Sequence, residues 1–315
     1  MSIKEVIRKK ILGKHPLSDY IAIGSPTLSE TKEDTYWVFK KNKIKVTARC
    51  VLYDPTIIGI FFSDEKPKDQ MNTEDVCFLE YYNNQNDNCI GSITLQFENI
   101  ISVDETNKIY LFLAKDADLK LTTYRLKIIS QLIYFKLRHK HKSFLSSFNS
   151  KHYRTLSALF THPRLVRLLT IPIDENNRRY FPIDLYLQVK NSIVFGLRNS
   201  NNSNIYLKKG AVLCLSDVLM QHKSKVYSLG KFGAKTNDQI NFVPTEYLKI
   251  RIPDLFFSYV EIKIEKVFTY ENQTIYQAEV LNQFYNQKNK EELLLSHIQL
   301  LRYLKQPLNY THKVI

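Results

Sequence analysis

Residues 180–283 read YFPIDLYLQVKNSIVFGLRNSNNSNIYLKKGAVLCLSDVLMQHKSKVYSLGKFGAKTNDQINFVPTEYLKIRIPDLFFSYVEIKIEKVFTYENQTIYQAEVLNQ, and this stretch decides the fold. An apolar strand, Ser192-Ile-Val-Phe-Gly-Leu-Arg198, runs into a polar loop, Asn199-Ser-Asn-Asn-Ser-Asn204. A second apolar strand follows, Ala211-Val-Leu-Cys-Leu-Ser216, and then a basic, irregular connection from Lys223 to Phe242. Tyr259-Val-Glu-Ile-Lys-Ile-Glu265 and Thr274-Ile-Tyr-Gln-Ala-Glu-Val-Leu281 close the set. Short β-branched runs bounded by Asn, Ser and Gly read as strands and turns.

Upstream, Asp34 to Leu113 has the same β character. Thr35–Phe39, Ile44–Leu52, residues 55–62, Val76–Tyr81, Ile90–Phe97 and Lys108–Leu113 are strand-like, with polar loops at Ser63–Asp75, Asn83–Asn88 and Val103–Asn107. Such spacing suggests a meander, sandwich or small barrel. Trp37, the single tryptophan, reads as core or interface rather than a ligand platform. Ile57-Ile-Gly-Ile-Phe-Phe-Ser63 faintly echoes Ile193-Val-Phe-Gly-Leu-Arg198, although one shared Gly does not by itself establish a repeat.

Between the two β regions the period changes. Leu121, Tyr124, Ile128, Leu132 and Phe135 give an amphipathic helix that ends in the basic run Lys136–Lys142. Helical runs at Lys151–Phe160 and Arg164–Leu169 follow, stopped by Pro163 and Pro172. A basic helix over residues 2–14 and an apolar helical face over Lys290–Leu304 flank the rest. The expected fold class is therefore α+β and β-rich: a β-rich N-terminal domain (1–120), which could be a diverged barrel, a helical connector (121–170), and a C-terminal domain with a terminal helix (171–315).

The net charge of +14 has two readings. One is a basic nucleic-acid or polyanion-binding surface centred on the 125–142 helix, with His139 and His141 among its cations. The other is the Lys- and Asn-rich surface that an AT-rich genome encodes. Glycine is scarce, with 8 residues, and neither GxGxxG nor GxxxxGK[ST] occurs. Any phosphate must then be held by hydroxyls, amides, Arg and Lys. Hydrolase signatures such as GxSxG and HExxH are absent. Cys50, Cys77, Cys89 and Cys214 are scattered without a CxxC pair, which argues against zinc; without an export signal a cytoplasmic protein is expected, and in that reducing compartment buried free thiols are the default. No apolar run approaches a bilayer span, and the first twenty residues lack a signal-peptide core, so no membrane partner is expected.

The C-terminal pieces resemble the flavin-reductase-like FMN-binding split-barrel family. Ile193–Arg198 with Asn199 and Ser200 resembles the family's central strand and phosphate loop; Ala211–Ser216 resembles the strand lining the cofactor. Gly230–Lys235 and Phe242-Val-Pro244 resemble the connection over the flavin, and Tyr259–Glu265 and Ile275–Leu281 the closing strands. The resemblance implies a split β-barrel in this half, FMN as cofactor, an oxidoreductase using NAD(P)H, and a homodimer. The implied cofactor-binding residues are Arg198, Asn199, Ser200 and Ser203 at the phosphate, with Leu215, Tyr227, Lys231 and Phe232 around the ring. The alternatives are a surface Arg beside a plain turn, and a barrel that keeps the fold without the cofactor.

Overall fold

The computed structural model describes residues 20–25, 34–40, 42–53, 55–63, 72–83, 88–119, 155, 158–159, 162–175, 177–232, 240–285 and 293–299. After β1 (Tyr20–Ser25), a first sheet is built from β2 (Thr35–Phe39), β3 (Asn42–Lys45), β4 (Thr47–Tyr53), β5 (Thr56–Phe61), β6 (Val76–Asn83), β7 (Asn88–Ser102) and β8 (Lys108–Leu119). Then come β9 (Arg164–Leu165), β10 (Arg167–Pro172), β11 (Arg178–Ile183), β12 (Tyr186–Val189), β13 (Ser192–Arg198) and β14 (Val212–Val218). The ten-residue helix α1 (Lys223–Phe232) precedes the ribbon of β15 (Phe242–Pro244) and β16 (Arg251–Pro253). The long hairpin β17 (Phe256–Thr269) and β18 (Gln273–Tyr285) completes a second sheet of β10–β14, β17 and β18, and β19 (Leu294–Gln299) lies between β1 and β9.

Both large sheets have seven strands, and all their pairings are antiparallel. The first has the order β3-β2-β6-β7-β8-β5-β4, the second β11-β10-β14-β17-β18-β13-β12. Numbered along the chain within each sheet, both read second, first, fifth, sixth, seventh, fourth, third. One sheet plan is used twice. The faint echo in the sequence falls on equivalent strands, β5 and β13, the fourth of each sheet.

Side-chain alternation shows how the two copies meet. On β13, Ile193, Phe195 and Leu197 enter the core of the second sheet, while Val194 and Gly196 face the other way. On β5, Ile58 and Ile60 enter the core of the first sheet, while Ile57 and Gly59 face outward from it. The outward faces meet in a shared apolar layer, with Val51, Leu52, Ile57 and Leu111 from one sheet and Leu187, Val194 and Ile275 from the other. Strands β5 and β13 are buried on both sides, which is why their sequences are continuous apolar runs rather than alternating ones. Two side-chain hydrogen bonds cross the same seam: Gln273 Oε1 accepts from Tyr53 N at 2.6 Å, and Gln277 Nε2 donates to the Ser102 carbonyl at 2.8 Å.

Several expectations are corrected. The apolar run Arg164–Leu169 is strand, not helix; it supplies β9 and the start of β10, and β10 takes its place at the side of β14. A short run rich in Leu and Val fits either structure, and here the pairing of β10 with β14 and β11 decides. The terminal helix over Lys290–Leu304 is also overturned where the chain is described: Leu294–Gln299 is β19, with buried residues on both faces and partners on both sides. The irregular Lys223–Phe242 connection contains α1. Of the helical connector, residues 155 and 158–159 are helical. The helix at 2–14 and the basic run at 125–142 lie outside the described residues.

A bulge in β4 leaves Val51 without a register partner, and a Cβ at position 196 would overlap the Val51 carbonyl oxygen. At Gly59 the nearest atom to an added Cβ is the tip of Leu187, 3.0 Å away, which can move. Gly196→Ala is therefore expected to destabilise the chain by about 3 kcal/mol and Gly59→Ala by about 1 kcal/mol or less, measured by urea unfolding. Equal losses at the two positions would contradict this account of the seam.

Candidate functional site

Arg198 is the last residue of β13 and lies on the seam-facing side of the strand, the same side as Gly196. Its guanidinium stands over the Tyr53 ring of the first sheet, 5.9 Å from the centroid. The loop after it is held by its own amides. Asn199 donates through Nδ2 to the carbonyls of Tyr270 (2.8 Å) and Glu271 (3.1 Å), and its Oδ1 accepts from Thr274 Oγ1 at 2.7 Å. Asn201 Oδ1 accepts from Ser203 N and so caps the short 3-10 turn Asn202–Tyr206. Asn204 Nδ2 donates back to the Arg198 carbonyl at 2.8 Å. Arg198 and Ser200 are exposed, and Ser203 is buried. Among the described residues, Ser203 Oγ and Asn204 Oδ1 are buried atoms without a hydrogen-bond partner.

The expected site residues are thus only partly gathered. Arg198, Asn199, Ser200 and Ser203 share one strand end and one turn. The side chain of Asn199 is engaged by the β17–β18 turn. Leu215 is fully buried in the core of the second sheet, where Leu207 from the end of the loop also packs. Tyr227 belongs to a different apolar cluster, with Val226, Leu229 and Tyr180. Lys231 and Phe232 end α1, and their side chains lie outside the described residues.

A second constellation escaped the sequence reading. Arg164 on β9 and His297 on β19 are directly opposite one another across the strand pair. Both reach the same oxygen of Asp184: Arg164 Nη2 at 2.7 Å and His297 Nδ1 at 2.7 Å. On the far side of the imidazole, Nε2 is 2.5 Å from the Tyr227 hydroxyl on α1. The helix comes this close because Gly230 rests on Pro182, where a Cβ would be 2.6 Å from the proline ring. Burial by itself would raise the Asp184 carboxyl, but the Arg164 charge and the bond from His297 outweigh it and hold Asp184 well below the usual carboxylate range. An ionised Asp184 only accepts, so Nδ1 carries a proton; in the neutral imidazole Nε2 is then the acceptor that faces the Tyr227 hydroxyl. Arg164 and His297 are 4% and 5% exposed, whereas Tyr227 is half-buried.

Cys50 and Cys77 are ill-suited to nucleophilic chemistry, because burial pushes their thiols up to about 12. Among the described residues no group of His, Cys, Asp and Glu could hold a metal ion, and no helix is long and apolar enough to cross a membrane.

Solved structures similar to this chain include FMN-binding and flavin-reductase-like proteins. An FMN-binding protein from Thermus thermophilus, with bound p-hydroxybenzaldehyde, is 13% identical over 42% of this chain and 81% of its own, with a TM-score of 0.37. An NADH:FAD oxidoreductase from Streptomyces globisporus, in complex with NAD and FAD fragments, is 11% identical over 44% and 82%, with a TM-score of 0.38. A homologue of nitrilotriacetate monooxygenase component B from Mycobacterium thermoresistibile is 16% identical over 49% and 82%, with a TM-score of 0.38. No family model matches the chain, and no curated protein matches it.

The depressed Asp184 carboxyl makes stability depend on pH. The unfolded chain takes up this proton first as pH falls, so the contribution is present above the ordinary carboxylate pKa of about 4 and is lost below it. Wild type should exceed Asp184→Asn in unfolding free energy at neutral pH, and the gap should shrink as pH falls below about 4. A gap independent of pH would mean that the Asp184 charge carries none of it.

Proposed function

We propose that this chain binds a flavin mononucleotide at the outer end of β13 and acts as a flavin-dependent oxidoreductase. The observation that carries the reading is Arg198: an exposed cation at a strand end, above an aromatic ring from the opposite sheet and beside a loop of hydroxyls and amides. That donor set suits a dianionic phosphate next to a stackable ring system. Arg198 and Ser200 would bind the phosphate, and Asn199 would hold the loop in shape through the β17–β18 turn. Tyr53 would offer its ring face to the flavin. When bound, the flavin supplies the two-electron redox chemistry, and NAD(P)H is the donor that the family resemblance implies. In these terms the C-terminal sheet is the split barrel and the N-terminal sheet its diverged counterpart. The position on β5 that matches Arg198, taking Gly59 with Gly196, is Phe61, so the two ends of the seam are unequal and the cation marks one of them.

Purified protein should show the visible absorption of flavin, or acquire it with added FMN and keep it through gel filtration. Arg198→Ala should weaken FMN binding about tenfold or more, the value of a charge-assisted hydrogen bond. A colourless protein from which FMN washes free would defeat the reading, and an unchanged affinity would remove Arg198 from it.

The resemblance implies a homodimer. In this chain the outward faces of β5 and β13 are already covered by each other's sheet. A single chain of 37.1 kDa is therefore the expected species in light scattering, and twice that mass would restore the homodimer.

A further inference from the structure

The line Arg164–Asp184–His297–Tyr227 joins four segments that lie apart in the chain, and its members differ in access to solvent. The guanidinium and the imidazole are sealed, while the phenol is half-buried. A network built only to pin β19 to the barrel could end at the imidazole, since the β1 and β9 pairings and the buried Leu294, Leu295 and Ile298 already dock that strand. Instead the imidazole is oriented on one side by a carboxylate and aimed on the other at a hydroxyl, 2.5 Å away. Hydroxyl, base and orienting carboxylate in that order are the parts of an activated oxygen nucleophile.

We propose that Tyr227 is such a nucleophile, that its reactants are acyl donors, and that His297 and Asp184 are its positioning residues. In the step this implies, Tyr227 Oη forms a bond to the carbonyl carbon while the phenolic proton passes to His297 Nε2. Asp184 stabilises the imidazolium, which then protonates the leaving group as its bond to the carbonyl carbon breaks. The products are an O-acyl tyrosine and the free leaving group, and no oxidant or reductant is needed. Arg164 sits behind Asp184, at the far end of the line from the phenol, so its charge serves the carboxylate. The line thus brings its own cation to the carboxylate and not to the phenol, which suits a neutral carbonyl carbon better than an anionic phosphoryl group as the electrophile. Nothing here depends on a flavin, and a chain that fails to bind FMN leaves the inference intact.

The test is limited acetylation of the full chain by N-acetylimidazole, with each tyrosine followed by peptide mass spectrometry and phenolic esters identified by their removal with hydroxylamine. Tyr247, which is 64% exposed, serves as the internal standard. Tyr227 should acetylate about a hundredfold faster than Tyr247, the lower range of what a positioned base provides. In His297→Gln that advantage should vanish while the Tyr247 rate stays unchanged, and Asp184→Asn should reduce it. The wild-type comparison needs no variant, so it holds even if a substitution fails to fold. Tyr227 acetylating no faster than Tyr247, or keeping its advantage in a folded His297→Gln chain, would overturn the proposal.

Discussion

The architecture depends on the close crossing of two strands that belong to different sheets. At Gly196 the backbone of β13 meets the bulged Val51 of β4 with no room for a side chain. At Gly59 the tip of Leu187 from β12 approaches β5 in the reciprocal way. The fourth strand of each sheet thus receives the third strand of the other. This brings two outward faces into one apolar layer, and burying that layer removes from water a surface that each sheet alone would expose. In a chain with 8 glycines, two of them are spent at this crossing.

The seam also explains the polar groups that the fold tolerates inside. Gln273 and Gln277 are 4% and 6% exposed, yet each bonds to backbone of the first sheet, so the sheets are keyed in register as well as pressed together. Elsewhere the second sheet buries charge only with full escort. Glu261 accepts from Thr245 Oγ1, Asn282 Nδ2 and the amides of Tyr247 and Leu248; burial opposes its ionisation, and these bonds outweigh burial, so its pKa is lowered. Arg167 and Asp217 face each other across β10 and β14, with Gln188 and Ser258 completing their bonds. Both groups hold loops or edges in place. The Arg164–Asp184–His297 group differs because its chain of bonds continues through an imidazole to a phenol on α1, on a residue that is half-buried.

Much of the strand content was legible because alternation and continuous apolar runs are local signals. Thr35–Phe39 and Ser192–Arg198 have the bounds read from the sequence, and the other expected strands were found with longer, shifted or divided spans, apart from residues 55–62, which shorten to Thr56–Phe61. The runs at Arg164–Leu169 and, within Lys290–Leu304, at Leu294–Gln299 were read as helix, since six residues that mix leucines with polar groups fit a helix face and a strand alike. The loop after Arg198 was visible as a cluster of Asn and Ser, but the cluster did not reveal that Asn199 and Asn201 are engaged in shaping the turn. The echo around Gly59 and Gly196 was present in the sequence, though too short to show a doubled plan. The relay around His297 had fainter traces: Gly230 in a glycine-poor chain, Asp184 after Pro182, and one His inside an apolar strand.

By itself the sequence determined that this chain is strand-rich, where most strands run, which segments turn, and that a phosphate ligand would have to be met without glycine loops. Those properties follow from residue type and near-neighbour pattern. The tertiary structure alone decided that one sheet plan appears twice, that the copies pack through their fourth strands, and that Arg164, Asp184, Tyr227 and His297 stand in line. Strand order and the meeting of distant side chains depend on which edges and faces remain to be covered once each hairpin has formed, and no local pattern carries that information.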